Sequence, residues 1–197
     1  MRVIPKRIKN LSFLLIEDFF TPQELQEVEK EVQDLKRFFV PATVTGASTD
    51  EKGKLQKTGS GIFLDDLYHA NRESSAILKG NRKLFSEEFM ETAENFDASF
   101  GYIRNSNDDT SLLNYYIDGQ EYKAHRDCSR ISAITFLRQG EFTGGEFKFL
   151  SQGVDIEAIH NRMVLFPSCV LHQAMPVCGE GARISIAQFV NYTPNNL

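Results

Sequence analysis

Apolar and polar positions along the chain fall into two textures. In the first third the period is helical. Thr21-Pro22-Gln23-Glu24 reads as a capping box with proline at the first helical position, because the threonine hydroxyl and the glutamate satisfy orphan backbone amides reciprocally. Leu25, Val28, Val32, Leu35 and Phe39 follow at spacings of three and four, with Glu27, Lys30, Glu31 and Asp34 between them. That spacing predicts a helix whose one apolar stripe is core. A short strand is expected at Ile62-Phe63-Leu64, then a second helical zone, broken at Gly80-Asn81, that carries Leu84, Phe85, Phe89 and Met90.

After about residue 110 the period shortens. Apolar β-type runs cover Leu112 to Ile117, Ile131 to Leu137, Glu146 to Leu150, Met163 to Phe166, and Ile184 to Asn191, with glycines between several of them. Such runs predict a sandwich or barrel, with the preceding helices packed on it. Pro41 to Ser60 is polar, rich in glycine and aperiodic, and predicts a long loop of the kind used as a lid or binding segment.

Length and composition narrow this further. With 197 residues, 41% of them hydrophobic, the chain reads as one domain with a sizeable core. Residues 1–110 form a helical support and lid loop, and residues 111–197 a β core. The net charge of −5 offers no field to hold a phosphate backbone, so nucleic acid is disfavoured. Cys128, Cys169 and Cys178 leave one thiol unpaired in any scheme and lack C-x-x-C spacing, which points to a reduced, cytoplasmic setting. Arg2, Lys6, Arg7 and Lys9 before the apolar run Leu11 to Ile16 imitate a secretory signal, but Glu17 and Asp18 stop the run. No stretch approaches the roughly 18 apolar residues of a membrane span.

Candidate chemistry centres on the histidines. His125-x-Asp127 on a strand points both side chains to one face, close enough to chelate one cation. His172 follows a strand and the turn-like Pro167-Ser168, and would complete two imidazoles and a carboxylate. That face leaves open coordination positions and is the signature of non-haem Fe(II) oxygenases; zinc in a hydrolase could use the same ligands. His160 is the competing third ligand, at a turn before Asn161 and Arg162, and is read as a surface or supporting residue. His69 is expected in solvent, and Cys128 is expected to pack inertly. Arg183, with Ser185 two positions on, lies inside an apolar strand, where a guanidinium is costly unless paired. A dicarboxylate cosubstrate would supply the partner, and an internal acid such as Glu146 is the alternative.

Leu112 to Tyr192 resembles the catalytic core of the 2-oxoglutarate and Fe(II)-dependent dioxygenases, in particular the prolyl 4-hydroxylase-like group. The matching pieces, in order, are Tyr116-x-x-Gly119-x-x-Tyr122-x-x-His125-x-Asp127, Phe142-Thr143-Gly144-Gly145-Glu146-Phe147, and Leu165-Phe166-Pro167 through His172 to Arg183. More loosely, Ile16-Glu17-Asp18-Phe19-Phe20, the capped helix and the polar loop running into Gly61-Ile62-Phe63-Leu64 resemble that group's opening strand, support helix and substrate-covering loop.

The resemblance implies a double-stranded β-helix, or jelly roll, in which His125, Asp127 and His172 hold Fe(II) and Arg183 binds the distal carboxylate of 2-oxoglutarate. Tyr116 matches a tyrosine that contacts the same cosubstrate, in a register that the adjacent Tyr115 leaves open by one residue. A second cosubstrate tyrosine is replaced by Phe136, for which Thr135 or Ser185 is the candidate substitute. The implied activity consumes O2, with ascorbate as a further cofactor the group allows, and hydroxylates a prolyl residue of a peptide or protein. A free amino acid or other small molecule is the alternative substrate, and a jelly-roll binding module without turnover the alternative class. Lys52, Lys54 and Lys57 outnumber Asp50 and Glu51 in the loop and favour an acidic peptide.

Overall fold

The computed structural model describes residues 1–46, 49 and 52–193, so Asp50 and Glu51 of the basic loop lie outside the described residues. The chain opens with β1 (Arg2–Ile8), β2 (Leu11–Glu17) and α1 (Pro22–Leu35), then β3 (Val40–Pro41) and β4 (Ser60–Phe63). Short helices follow: α2 (Leu64–Leu67), α3 (Ala76–Asn81), α4 (Glu87–Phe96) and α5 (Gly101–Arg104). The β-rich remainder contains β5 (Asp108–Tyr116), β6 (Tyr122–His125), β7 (Ile131–Gln139), β8 (Thr143–Gly144) and β9 (Phe147–Phe149). It ends with β10 (Val154–Ile156), β11 (Arg162–Pro167), β12 (His172–Ala174), β13 (Val177–Cys178) and β14 (Ala182–Asn191).

The strands form a jelly roll. A major sheet runs β1-β2-β11-β7-β14-β5-β4-β3, and a minor sheet runs β10-β9-β12-β6. Side-chain alternation sorts the major sheet into two faces. Ala133, Leu137, Met163, Leu165, Ile184 and Ile186 pack with Val28, Val32 and Leu35 of α1 and Ile77 of α3. Their alternates Ile134, Phe136, Val164, Phe166 and Ala187 pack with Phe147, Phe149 and Ile156 of the minor sheet. The inter-sheet core is aromatic. Phe147 and Phe149 stand edge-to-face at 5.2 Å, and Phe149 meets Phe166 at 5.1 Å in the same manner.

The capping box forms as read: Glu24 N–H donates to Thr21 Oγ1 at 3.3 Å, and Thr21 N–H donates to Glu24 Oε2 at 2.8 Å. Phe39, however, falls beyond α1, after a 3₁₀ turn at Lys36–Phe38. The second helical zone does break at Gly80-Asn81: α3 ends at Asn81 and passes into a 3₁₀ turn at Arg82–Phe85. A Cβ on Gly80 would overlap the Phe20 ring, so the glycine also permits close approach. The N-terminal region is also more than helical support, since β1 and β2 extend one edge of the major sheet and β4 and β3 the other. Asn161 fastens the corner between β2 and α1. At φ 62° it accepts Phe20 N–H at 2.9 Å and donates to Phe20 O at 2.7 Å. Among the described residues no helix is long and apolar enough to cross a membrane.

Candidate metal and cosubstrate site

In the minor sheet, β6 and β12 are antiparallel neighbours whose register places His125 opposite His172. Asp127 follows β6, its backbone N–H donating to Ser168 O at 3.1 Å. Asp127 Oδ1 lies 3.6 Å from His125 Nε2, and Oδ2 lies 3.6 Å from His172 Nε2. One ligand atom from each of the three residues falls within 4.8 Å of the others. Each imidazole also sets its Nδ1 against the backbone carbonyl two residues earlier, Lys123 O at 2.7 Å and Val170 O at 2.9 Å. A carbonyl only accepts, so Nδ1 carries the proton and Nε2 keeps its lone pair for the cluster.

Burial pushes His125 down to about 3, aided by the neighbouring His172, and burial likewise lowers His172 against the opposing pull of Asp127. Both rings are therefore neutral at pH 7, the form that ligates metals. Tyr122 stacks on the His125 ring at 3.5 Å, while Phe147 and Phe166 flank His172 at 5.1 and 5.0 Å. Behind Asp127, Ser132 Oγ donates to Oδ2 at 2.6 Å and lies 2.7 Å from Ser168 Oγ, which is 2.6 Å from Ser129 Oγ. Two imidazoles and a carboxylate suit a borderline divalent cation such as Fe(II), Mn(II) or Zn(II).

Arg183, Ser185, Ala187 and Phe189 of β14 and Leu112, Asn114 and Tyr116 of β5 turn into the same cavity as the cluster. Arg183 is 1% exposed. Its Nη1 donates to Gly145 O at 2.9 Å and Met175 O at 3.3 Å, and its guanidinium sits 4.3 Å from the centroid of Tyr116. Nε and Nη2 are buried with no hydrogen-bond partner among the described residues. Glu146, the internal acid considered as a partner, forms no ion pair with it there. Two orphan donors on a buried guanidinium are costly until a carboxylate completes them, so this end of the cavity fits a dicarboxylate.

The Tyr115/Tyr116 ambiguity resolves by register. Tyr116 lines the cavity opposite Arg183, whereas Tyr115 turns to the helices and packs on Phe39 at 5.9 Å. Ser185 lines the cavity beside Phe136; Thr135 turns to the helical face and cannot substitute for the missing phenol. His160 lies outside the cluster and ties the sheet to α1, accepting Arg138 N–H at 3.1 Å and facing Glu29 at 3.4 Å. His69 is exposed. Cys128 is exposed as well and borders a second cavity, which corrects the expectation that it packs inertly.

Sequence reasoning gave no role to Asn114, Tyr122, Ser132 or Phe147, and read Lys57 only as part of the basic charge of the loop. Lys57 is 4% exposed on the loop before β4, and burial pulls its ammonium down to about 8, with Asp127 opposing that shift. It shares a wall of the metal cavity with a second cavity of about 290 Å3, which Asp127, Tyr122 and Arg126 also line.

Fold and site together define a jelly-roll protein with a two-histidine, one-carboxylate centre and a buried arginine beside it. Residues 111–191 match the family model of the 2OG-Fe(II) oxygenase superfamily. No curated protein matches the sequence. Among solved structures the chain is similar to a Pseudomonas putida prolyl-4-hydroxylase, at TM-score 0.61 and 16% identity over 94% of this chain and 95% of that one. It is similar also to a Trichoplax adhaerens prolyl hydroxylase solved with a hypoxia inducible factor peptide fragment (TM-score 0.62, 17% identity, 91% and 83% covered). A viral collagen prolyl hydroxylase from Paramecium Bursaria Chlorella virus-1, in complex with 2OG, matches at TM-score 0.54 and 14% identity over 92% and 96%. At these identities the likeness is one of fold.

Proposed function

We propose that the protein is an Fe(II)- and 2-oxoglutarate-dependent dioxygenase that hydroxylates a prolyl residue of a peptide or protein, releasing succinate and CO2. One observation carries the reading: a buried guanidinium with two unpaired donors shares a cavity with three converging metal-ligand atoms. His125 Nε2, Asp127 and His172 Nε2 would hold the metal. Arg183 would bind the distal carboxylate of the cosubstrate, with Tyr116 flattening against the guanidinium and Ser185 adding a hydroxyl. Fe(II) there supplies the redox chemistry that couples O2 and cosubstrate decarboxylation to C–H hydroxylation.

The chain's own groups do the positioning. The Nδ1 bonds fix both ring tautomers, Ser132 orients the carboxylate, and the aromatic wall excludes water from the reacting centre. The prolyl choice is supported by the prolyl hydroxylases of the same fold, one of them bound to a peptide. The test is succinate release with Fe(II), 2-oxoglutarate and O2, comparing proline-containing peptides, free proline and a single-stranded oligonucleotide. Peptide-stimulated turnover is expected. Stimulation by free proline alone would move the substrate to small molecules, and absence of both metal and 2-oxoglutarate binding would make the protein a jelly-roll binding module.

A further inference from the structure

Three charged side chains stand out in the buried interior. Asp109 is paired with Arg72 at 3.1 Å and accepts from Gln188 at 2.8 Å. Arg183 faces the cosubstrate end of the cavity. Lys57 has no such assignment, and no acid lies within ion-pair distance of it among the described residues. A buried cation with no ion-pair partner, drawn only by the more distant Asp127, is costly, and such a group persists where a ligand completes it. Lys57 is also not a wandering loop residue. It bridges to Tyr122 in antiparallel register; next to it Lys123 N–H donates to Gln56 O at 2.8 Å and Thr58 N–H donates to Glu121 O at 2.9 Å. Its ammonium lies 5.3 Å from the Tyr122 ring centroid.

Its position separates two ligands. The larger cavity of about 290 Å3 is lined by Lys57 and Asp127 but by neither Arg183 nor either cluster histidine, so it lies on the side away from the cosubstrate's distal end. The other charged side chain there is Arg126, whose Nε is already used by Cys169 O at 3.0 Å. With Asp127 committed to a metal, that chamber carries only positive charge. We propose that Lys57 binds a carboxylate of the primary substrate in this chamber, making the enzyme selective for substrates with an anionic group near the oxidised carbon. A carboxylate suits the site because one ammonium offers a single charge and three donors, without the planar fork that Arg183 presents to the cosubstrate.

The inference rests on the dioxygenase reading for its geometry but is tested by binding, so the two can fail separately. Acetyl-Ala-Pro-Glu-amide, acetyl-Ala-Pro-Gln-amide and acetyl-Ala-Ala-Glu-amide are titrated calorimetrically into the Mn(II)- and 2-oxoglutarate-loaded protein. The Pro-Glu peptide is expected to bind about tenfold or more tightly than its Gln analogue. Lys57→Met should erase that preference, Lys57→Arg should retain most of it, and 2-oxoglutarate affinity should stay within about twofold in both. Lys57→Met should also melt no lower than the wild type, because it removes a buried charge that has no ion-pair partner. Equal binding of the Ala-Glu peptide would keep the carboxylate site and remove the prolyl reading. Equal affinity for the Glu and Gln peptides, no binding by either Glu peptide, or a preference surviving in Lys57→Met would overturn the proposal. So would a Lys57→Met effect on 2-oxoglutarate instead, or a lowered melting temperature.

Discussion

His125 and His172 face each other directly across the β6–β12 pair, with ring centroids 4.2 Å apart. Sheet register, not loop conformation, therefore sets the separation of the two imidazoles, and Asp127 closes the set from the turn after β6. A site fixed by backbone pairing is preorganised for its cation. His172→Ala should abolish saturable Mn(II) binding at micromolar metal, read by electron paramagnetic resonance titration, while His160→Ala should leave it unchanged. Retained binding in His172→Ala, or its loss in His160→Ala, would reassign the third ligand.

Ser132 makes the same site testable one layer out. Its Oγ is the donor to Asp127 Oδ2 at 2.6 Å, and the residue is fully buried. Removing a partner of this kind typically weakens metal affinity by about 10–100-fold. Ser132→Ala should show that loss in the Mn(II) titration, and Ser132→Thr, which keeps the hydroxyl, should recover part of it. Unchanged affinity in the alanine variant would mean that Asp127 is held by its own backbone N–H bond to Ser168 O at the turn and by packing alone.

How much of this was legible follows from where each residue sits. His125 and Asp127 share a strand-like spacing, and Arg183 stands out because a guanidinium in an apolar run is anomalous. Tyr116 could not be separated from Tyr115 because β5 is largely buried on both faces, so the alternation that fixes register disappears. β1 was missed for the opposite reason: it is an edge strand, largely exposed, and its polar positions show no core face. Ser132 hides within an apolar strand. Lys57 lies in an aperiodic loop, where only the pairing with β6 reveals that its side chain turns inward.

Asn161 carries a stability prediction. Its left-handed backbone and two bonds to Phe20 serve the same corner. Asn161→Ala strains the backbone and leaves Phe20's buried N–H and C=O unsatisfied, at a cost of about 2–4 kcal/mol. Asn161→Gly relieves the strain but not the lost bonds and should fall between. Urea unfolding midpoints at constant m-value measure both, and equal midpoints for alanine and glycine would remove the strain component.

The buried imidazoles predict a pH dependence of the metal-free protein. Burial lowers His125 to about 3 and lowers His172 in the same direction, whereas both titrate near 6.5 when unfolded. Below pH 6.5 the unfolded chain binds protons that the folded chain refuses, so stability falls as pH falls. For each such histidine the slope approaches about 1.4 kcal/mol per pH unit until the folded group itself titrates. Thermal melts from pH 7.5 to 4.5 should show this decline, reduced in His125→Gln, and Mn(II) should steepen it because protons then compete with the metal. A flat profile over that window would mean the rings titrate normally in the folded state.

Arg183 gives the sharpest division between charge and geometry. Its Nη1 is committed to Gly145 and Met175 carbonyls, which orient the guanidinium and leave Nε and Nη2 as a free edge toward the cavity. Two parallel N–H donors on one edge match a carboxylate bidentately, and a charged bond of this type contributes roughly 1.5–3 kcal/mol. Arg183→Ala should therefore weaken 2-oxoglutarate binding by about ten- to more than a hundredfold. Arg183→Lys keeps the charge and loses the fork, so its affinity should lie between. Calorimetric titration of 2-oxoglutarate into the Mn(II)-loaded variants separates the two contributions. Monocarboxylate 2-oxobutyrate should bind wild type and Arg183→Ala alike, since it lacks the group Arg183 receives. Wild-type 2-oxoglutarate affinity in Arg183→Ala would place the distal carboxylate elsewhere in the cavity.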